Sequence, residues 1–333
     1  VKDTERPVRV GFVGLGRIAS LLEDDPLREK PATHAGAFAA NSDCIITGGY
    51  DSDPERVRLF CQRWDTRGFD SAEALLQDGR PELLVIATHP DSHEEYLRCA
   101  IGAGVSGVVC EKPLAHTLRS ARRMAAVAKR SRTRVVVNHE RRFSRDYRMV
   151  RQALLSGQLG RLLSVSGRLY FGSSTPLHAM MLHDGTHLID AMHFLTGERI
   201  RVRRRLGDFG AARSSAYLFG SLEGSETPVS IEIGAERDHL LFEITLSFVS
   251  GQISVGNGLF SWEVSVPSPH YDRYRSLQTT RRNVPEPTGY FSGMAAEAVR
   301  IVRDPAAASI SSAEDALAVM RVVARTGRRY VGA

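Results

Sequence analysis

An apolar run, Val8–Val13, ends on Gly14-Leu-Gly16-Arg-Ile-Ala19, and no other stretch of the 333-residue chain restricts its fold as much. A β-rich run entering two glycines one residue apart reads as a tight strand-to-helix turn. Gly14 permits the turn, Gly16 leaves the backbone open to close approach, and Ala19 is small enough for the helix to sit against the strand. The first amides of such a turn, from Gly14 and Gly16 to Arg17 and Ile18, suit an anionic group such as a diphosphate. A glycine turn without a ligand looks the same in isolation, so its context has to decide.

That context is a regular alternation. Apolar runs recur at 44–50, 83–87, 107–110 and 133–137, with helical patterns near 33–40, 54–64, 71–77, 92–101 and 118–130. Short continuous apolar strands separated by amphipathic helices predict an α/β, doubly wound parallel sheet. After Asn138 the texture changes. A helix at 144–156 leads into a long strand at 161–171, and a helix at 185–195 follows. Strand-like runs then come in succession at 200–206, 213–222, 228–233, 240–248 and 252–255. Short turns between successive strands predict an open, mostly antiparallel sheet. Two helices close the chain, the second announced by Ser311-x-x-Glu314, a capping-box pattern. Two domains are expected, 1–138 and 139–333.

The second strand ends at Asp51. A carboxylate there can accept hydrogen bonds from the ribose hydroxyls of a dinucleotide and repel a 2′-phosphate, which favours NAD over NADP. The competing reading is that Asp51 caps the helix opening at Pro54. The distance from Gly16 exceeds the usual ~20 residues because of a polar insertion at 22–31. That insertion reads equally as a loop over the cofactor or as an oligomer contact.

Charge points less clearly than it first suggests. The chain carries +6 at neutral pH, but 40 of its 44 cations are arginine. Only Lys2, Lys30, Lys112 and Lys129 are lysine. A chain that uses arginine for any generic cation makes each lysine worth inspecting. The strongest basic run, 199–205, alternates arginine with Ile and Val as a half-exposed strand does. No recognition fold or aromatic-bearing basic surface accompanies it, so nucleic acid is not expected as a partner. The four cysteines form no CxxC or metal spacing and read as reduced thiols. No apolar run approaches the ~18 residues of a spanning helix, so no membrane association is expected. The opening VKDTERPVRV has no apolar stretch of the export-signal kind, and a cytoplasmic protein is expected.

Two further motifs sharpen the reading: Cys110-Glu111-Lys112-Pro113 at the end of the fourth apolar run, and His183-Asp184-Gly185-Thr186-His187-Leu188-Ile189-Asp190 in the second half. Together with the glycine turn, with Thr88 and His93 after the third run, and with Arg141-Arg142-Phe143 and Gly157-x-x-Gly160, they make the chain resemble the glucose–fructose oxidoreductase / inositol dehydrogenase / MocA (Gfo/Idh/MocA) family. The resemblance implies an N-terminal Rossmann domain and a C-terminal α+β domain whose sheet packs against another subunit, giving homodimers or homotetramers. It implies NAD(P)-dependent oxidation of sugars, cyclitols and related polyols. It places Lys112 near the nicotinamide and the reacting hydroxyl, with Glu111 and Pro113 setting its backbone, and makes His187 the acid/base.

The chemistry is consistent with those roles on its own terms. Removing hydride from a carbinol carbon requires loss of the hydroxyl proton, and histidine is the natural acceptor near neutral pH. An ammonium can stabilise the developing alkoxide. The chain also departs from the family pattern. The acidic residue four before the histidine is His183 here, with the carboxylate moved to Asp184. Either Asp184 replaces it, or His183 contacts a different substrate, or proton transfer is lost. Thr88-His89-Pro90-Asp91 replaces the family's Thr-Pro-Asn, leaving the loop at the nicotinamide ribose with altered side chains. His139 and Arg142 are expected to line the substrate site, Arg142 through a carboxylate or phosphate. No metal is expected, since His183 and His187 at helical spacing lack an HExxH context. The expected activity is NAD-dependent hydride transfer on a sugar-like alcohol or ketone. The alternatives are a redox-neutral enzyme with tightly held NAD, or an NAD-binding regulator.

Overall fold

A computed structural model describes residues 6–172, 175–212, 215–282, 287–304 and 306–327. By packing, these fall into two units. One holds the described residues through Phe143 together with Gly289–Leu317; the other holds Ser144–Thr288 and the described residues from Ala318 onward. The segment from Gly289 therefore groups with the N-terminal unit, although the sequence assigned it to a second domain at 139–333.

The first unit is a five-stranded parallel sheet: β1 (Val8–Val13), β2 (Cys44–Tyr50), β3 (Leu83–Ile86), β4 (Gly107–Cys110) and β5 (Arg134–Val137), in the order β2-β1-β3-β4-β5. Its helices are α1 (His34–Ala39), α2 (Pro54–Trp64), α3 (Ala72–Ala74, running on as a π-turn at Leu75–Gly79), α4 (His93–Gly102) and α5 (Leu118–Arg130). β3 and β4 are buried at every residue, as strands covered on both faces must be. Phe12 of β1 meets Phe38 and Phe60 with ring centroids 6.2 and 5.2 Å apart. Later in the chain, Phe291, Met294, Ala295 and Ala298 join the same core.

The second unit is built on β6 (Leu162–Tyr170), β7 (Ile200–Leu206), β8 (Ala216–Leu222), β9 (Pro228–Gly234), β10 (Leu241–Phe248), β11 (Gly251–Gly256), β12 (Leu259–Pro267) and β13 (Arg275–Arg281). They form one sheet, β13-β12-β11-β10-β6-β9-β8-β7, antiparallel except for the β6–β9 pair. α6 (Arg145–Leu155), α7 (Leu177–His183) and α8 (Gly185–Thr196) belong to this unit, and residues of all three share its apolar core. β10 alternates half-buried and buried along its whole length, the pattern of a sheet with one core face. The helices of the C-terminal region are α9 (Tyr290–Arg303) and α10 (Ala313–Val323). The strand expected at 213–222 is seen as β8; Arg213 and Ser214 lie outside the described residues.

Local differences from expectation have physical causes. The glycine turn does not lead into an α-helix. Its carbonyls at Ile18 and Ala19 accept from the amides of His34 and Ala35, and the chain proceeds as wide turns and a short 3-10 helix at Leu21–Asp24. The insertion at 22–31 is tied down within the first unit: Glu23 accepts from Ala32 N and Thr33 Oγ1, and Glu29 from Gly289 N. The capping box lies one residue later than the pattern suggested. Ser312 and Asp315 bond reciprocally, while Ser311 donates its hydroxyl to Val137 O. The arginine run is the edge strand β7, where Arg201 and Arg203 both pair with Glu226 and a bulge between Val202 and Arg204 breaks the alternation. Charged side chains on an edge strand also oppose pairing with a foreign strand.

Candidate active site

The first unit's strand order reverses direction between β1 and β3, and ligands of open parallel sheets bind outside the C-terminal ends of strands at such a point. Gly14, Thr88, Lys112 and His139 all follow the C-terminal ends of strands. Gly14 has φ +84°, and a Cβ on it would lie 2.7 Å from the Ala87 carbonyl carbon. Only glycine lets β1 and the segment after β3 come this close. A Cβ on Gly16 would meet only Arg56 Nη1, at 3.7 Å, so the backbone there stands open enough for a diphosphate to approach. Arg17 is exposed and Ile18 half-buried beside it.

Asp51 closes this turn. Its Oδ2 accepts from Leu15 N at 2.7 Å and its Oδ1 from Asp53 N at 3.0 Å. The capping role considered for Asp51 belongs to Asp53, which accepts from Glu55 N at the start of α2. Arg56 Nη1 lies 3.7 Å from Asp51 Oδ2.

Lys112 is positioned by a buried network. Glu111 ends β4 and is nearly inaccessible. Nε2 of His34 donates to its Oε1 at 2.6 Å, Asn138 Nδ2 donates to the same oxygen at 2.7 Å, and the Lys112 amide donates to Oε2 at 3.1 Å. Burial alone would push the Glu111 carboxyl up. The hydrogen bond and charge of His34, with Asn138 and Lys112, hold it down at about 2. An ionised carboxylate accepts only, so His34 carries its proton on Nε2. The Lys112–Pro113 peptide is cis. His34 and Asn138 escaped the sequence reading. The available signal was a polar residue at each end of an otherwise apolar pattern.

Other expected contacts are placed differently. His93 is fully buried, with its ring nitrogens 3.1 Å from Thr88 O and 3.3 Å from Leu114 O. Burial lowers its pKa, and a neutral ring donates to only one of these carbonyls. It packs between the segments that carry Thr88 and Lys112. Arg142 is likewise buried, and its Nη1 donates to Ile310 O at 2.6 Å and lies 3.4 Å from Asp315 Oδ2. These contacts tie it to the C-terminal segment of the same unit. His139 is buried after β5. Thr88 Oγ1 accepts from Ser92 Oγ, and His89 is exposed.

In the second unit, His187 lies half-buried in the first turn of α8. Asp184 is the junction of two helices: its amide donates to Met180 O and its carbonyl accepts from His187 N. His183, the exposed last residue of α7, has Nδ1 3.0 Å from Asp184 Oδ1. The motif is therefore broken between His183 and His187, and the two do not share one continuous helix. Among the described residues, no helix is long and apolar enough to cross a membrane.

Residues 8–139 match the family model described as "Oxidoreductase family, NAD-binding Rossmann fold", in keeping with the parallel sheet and the glycine turn after β1. In this segment the chain is similar to proteins of the Gfo/Idh/MocA family. It is 22% identical over 249 residues to D-glucoside 3-dehydrogenase of Escherichia coli K12, covering 66% of this chain and 68% of that protein. It is 26% identical over 199 residues to inositol 2-dehydrogenase of Salmonella typhimurium LT2, covering 57% and 55%. The chain thus spans about two-thirds of the first of these relatives and about half of the second. Among solved structures, UDP-N-acetylglucosamine 3-dehydrogenase of Acidithiobacillus ferrooxidans shares the fold, with a TM-score of 0.74 at 17% identity over 96% of each chain.

Proposed function

We propose that this protein is an NAD-dependent dehydrogenase moving hydride between the nicotinamide and a secondary alcohol or ketone of a sugar, cyclitol or sugar acid. The observation that carries the reading is the buried His34–Glu111–Asn138 network, which holds Lys112 at the C-terminal edge of the parallel sheet. Building a buried carboxylate to position one residue is costly unless that residue has work to do. NAD, when bound, supplies the hydride acceptor. The open backbone at Gly16, Arg17 and Ile18 receives its diphosphate, and Thr88 and His89 border the nicotinamide ribose. The Lys112 ammonium donates to the substrate oxygen and stabilises it as the C–H bond breaks, and the hydroxyl proton passes to the His187 ring. Asp184 orients His183, whose exposed ring meets the substrate, and buried His139 after β5 is assigned to the same substrate.

NAD is proposed over NADP because the carboxylate of Asp51, at the end of β2, would repel a 2′-phosphate. Arg56 beside it offsets part of that charge. In titrations followed by intrinsic fluorescence, NAD should bind at least tenfold tighter than NADP, and Arg56→Ala should widen the gap. Tighter NADP binding by the wild type would reverse the assignment. A homodimer or homotetramer formed through the second unit's sheet, in a cytoplasm that keeps the four thiols reduced, completes the proposal.

The test is incubation with free NAD and a panel of cyclitols, sugars and sugar acids. Net NADH formation is expected. Substrate loss with cofactor retained and no NADH would identify a redox-neutral enzyme, and NAD binding with neither would identify a regulator.

A further inference from the structure

We propose that His89, Asp91 and His116 form a binding site for a divalent transition-metal cation, made by the first unit alone. His89 and Asp91 lie between β3 and α4; His116 lies between β4 and α5, on the segment that also carries Lys112. His89 Nδ1 is 3.4 Å from His116 Nε2. Asp91 Oδ2 is 3.6 Å from His89 Nδ1, and Asp91 Oδ1 is 3.6 Å from His116 Nε2. The two Asp91 distances run to different oxygens of its carboxylate, and one ligand atom from each of the three residues lies within 4.8 Å of the others. A tetrahedral zinc ion with bonds of about 2.0–2.1 Å has ligand–ligand edges of about 3.3–3.4 Å, so the separation of the two ring nitrogens matches one edge of such a site, with the Asp91 carboxylate beside both.

The chemistry of the donors selects the ion. Two imidazoles and one carboxylate suit Zn²⁺, Ni²⁺ or Cu²⁺, whereas Mg²⁺ and Ca²⁺ prefer all-oxygen sites. His89 and Asp91 are well exposed, which leaves a path for entry and room for water as the fourth ligand. The two rings stack with centroids 5.1 Å apart and planes 24° from parallel. Both nitrogens can point at one ion only if a ring turns, and exposed His89 is the one able to do so. The backbone beneath is already set. Buried His93 packs between the two ligand-bearing segments, its ring nitrogens 3.1 Å from Thr88 O and 3.3 Å from Leu114 O, so both segments converge on one side chain before any ion arrives. Occupancy would cross-link the loop after β3 to the segment carrying Lys112. Sequence spacing hides such a site, because the histidines stand 27 residues apart on different loops.

The experiment is calorimetric titration of tag-free, chelator-treated full-length protein with Zn²⁺ and Ni²⁺, with Mg²⁺ as comparison. About one equivalent per chain is expected, with no Mg²⁺ binding and a rise in melting temperature on Zn²⁺ addition. His116→Ala and His89→Ala should each weaken binding at least tenfold, and Asp91→Asn several-fold. His183→Ala, which removes the exposed His183–Asp184 pair, should leave this binding unchanged. Because His89 and Asp91 are surface loop residues, their variants keep the test open should His116→Ala fail to fold. Equal binding by wild type, His89→Ala and Asp91→Asn would overturn the proposal, as would loss of binding in His183→Ala alone.

Discussion

Lys112→Ala should lower kcat/KM by about 10²–10³-fold, the usual cost of removing a donor that stabilises a developing oxyanion. His187→Asn should lower it by about 10²–10⁴-fold, the range for losing a general acid–base group. NAD affinity should stay within several-fold in both, because neither residue belongs to the glycine turn that receives the diphosphate. The pairing of the two readouts matters. A merely structural lysine would change cofactor binding or melting temperature along with turnover. Lys112→Arg should not restore activity. A planar guanidinium cannot replace a compact ammonium at a single oxygen, in a chain that otherwise uses arginine for nearly every cation. Steady-state kinetics and fluorescence titration decide, and wild-type turnover in either variant would remove its assigned role.

Glu111→Ala should destabilise the first unit by about 3–5 kcal/mol, because it leaves His34 and Asn138 buried without the carboxylate they share. For a unit of this size that corresponds to a melting temperature lower by roughly 10 °C. The effect has a pH signature. The carboxyl is held at about 2 in the folded chain against an ordinary 4.5, so its contribution is fully present above about pH 4.5 and is lost as pH falls toward 2. Wild type and variant should therefore differ most near neutrality and converge in acid. Glu111→Gln, which preserves shape and some of the hydrogen bonding, should fall between them. Equal melting temperatures at pH 7 would mean that the network carries no stability.

How far the sequence could be read depended on where the determining contacts lie. β1, β2 and β4 match their expected bounds because each is an apolar-rich run stopped by turn residues, and β1 and β4 are buried on both faces. β13, Arg-Ser-Leu-Gln-Thr-Thr-Arg, carries almost no apolar residue on either face and is held by pairing with β12, so local pattern could not reveal it. α7 escaped because seven residues ending at a helix junction make no full amphipathic period. The site shows the same division. Lys112 and His187 were legible as members of short motifs, and Gly14 through its backbone requirement. The partners that fix Lys112 come from 77 residues upstream and 27 downstream of Glu111, and long-range pairs leave no mark in spacing. Arg142 shows the same limit: the Ile310 carbonyl that accepts from it lies 168 residues away.

The central claim is hydride transfer from a carbinol carbon to the nicotinamide. The most direct measurement uses a substrate from the panel deuterated at its carbinol carbons, with mass analysis of the NADH formed. The account predicts one deuterium at C4 of the nicotinamide, with label transfer falling in step with turnover in Lys112→Ala and His187→Asn. NADH free of label, or substrate consumed with no labelled nicotinamide formed at any time, would contradict it.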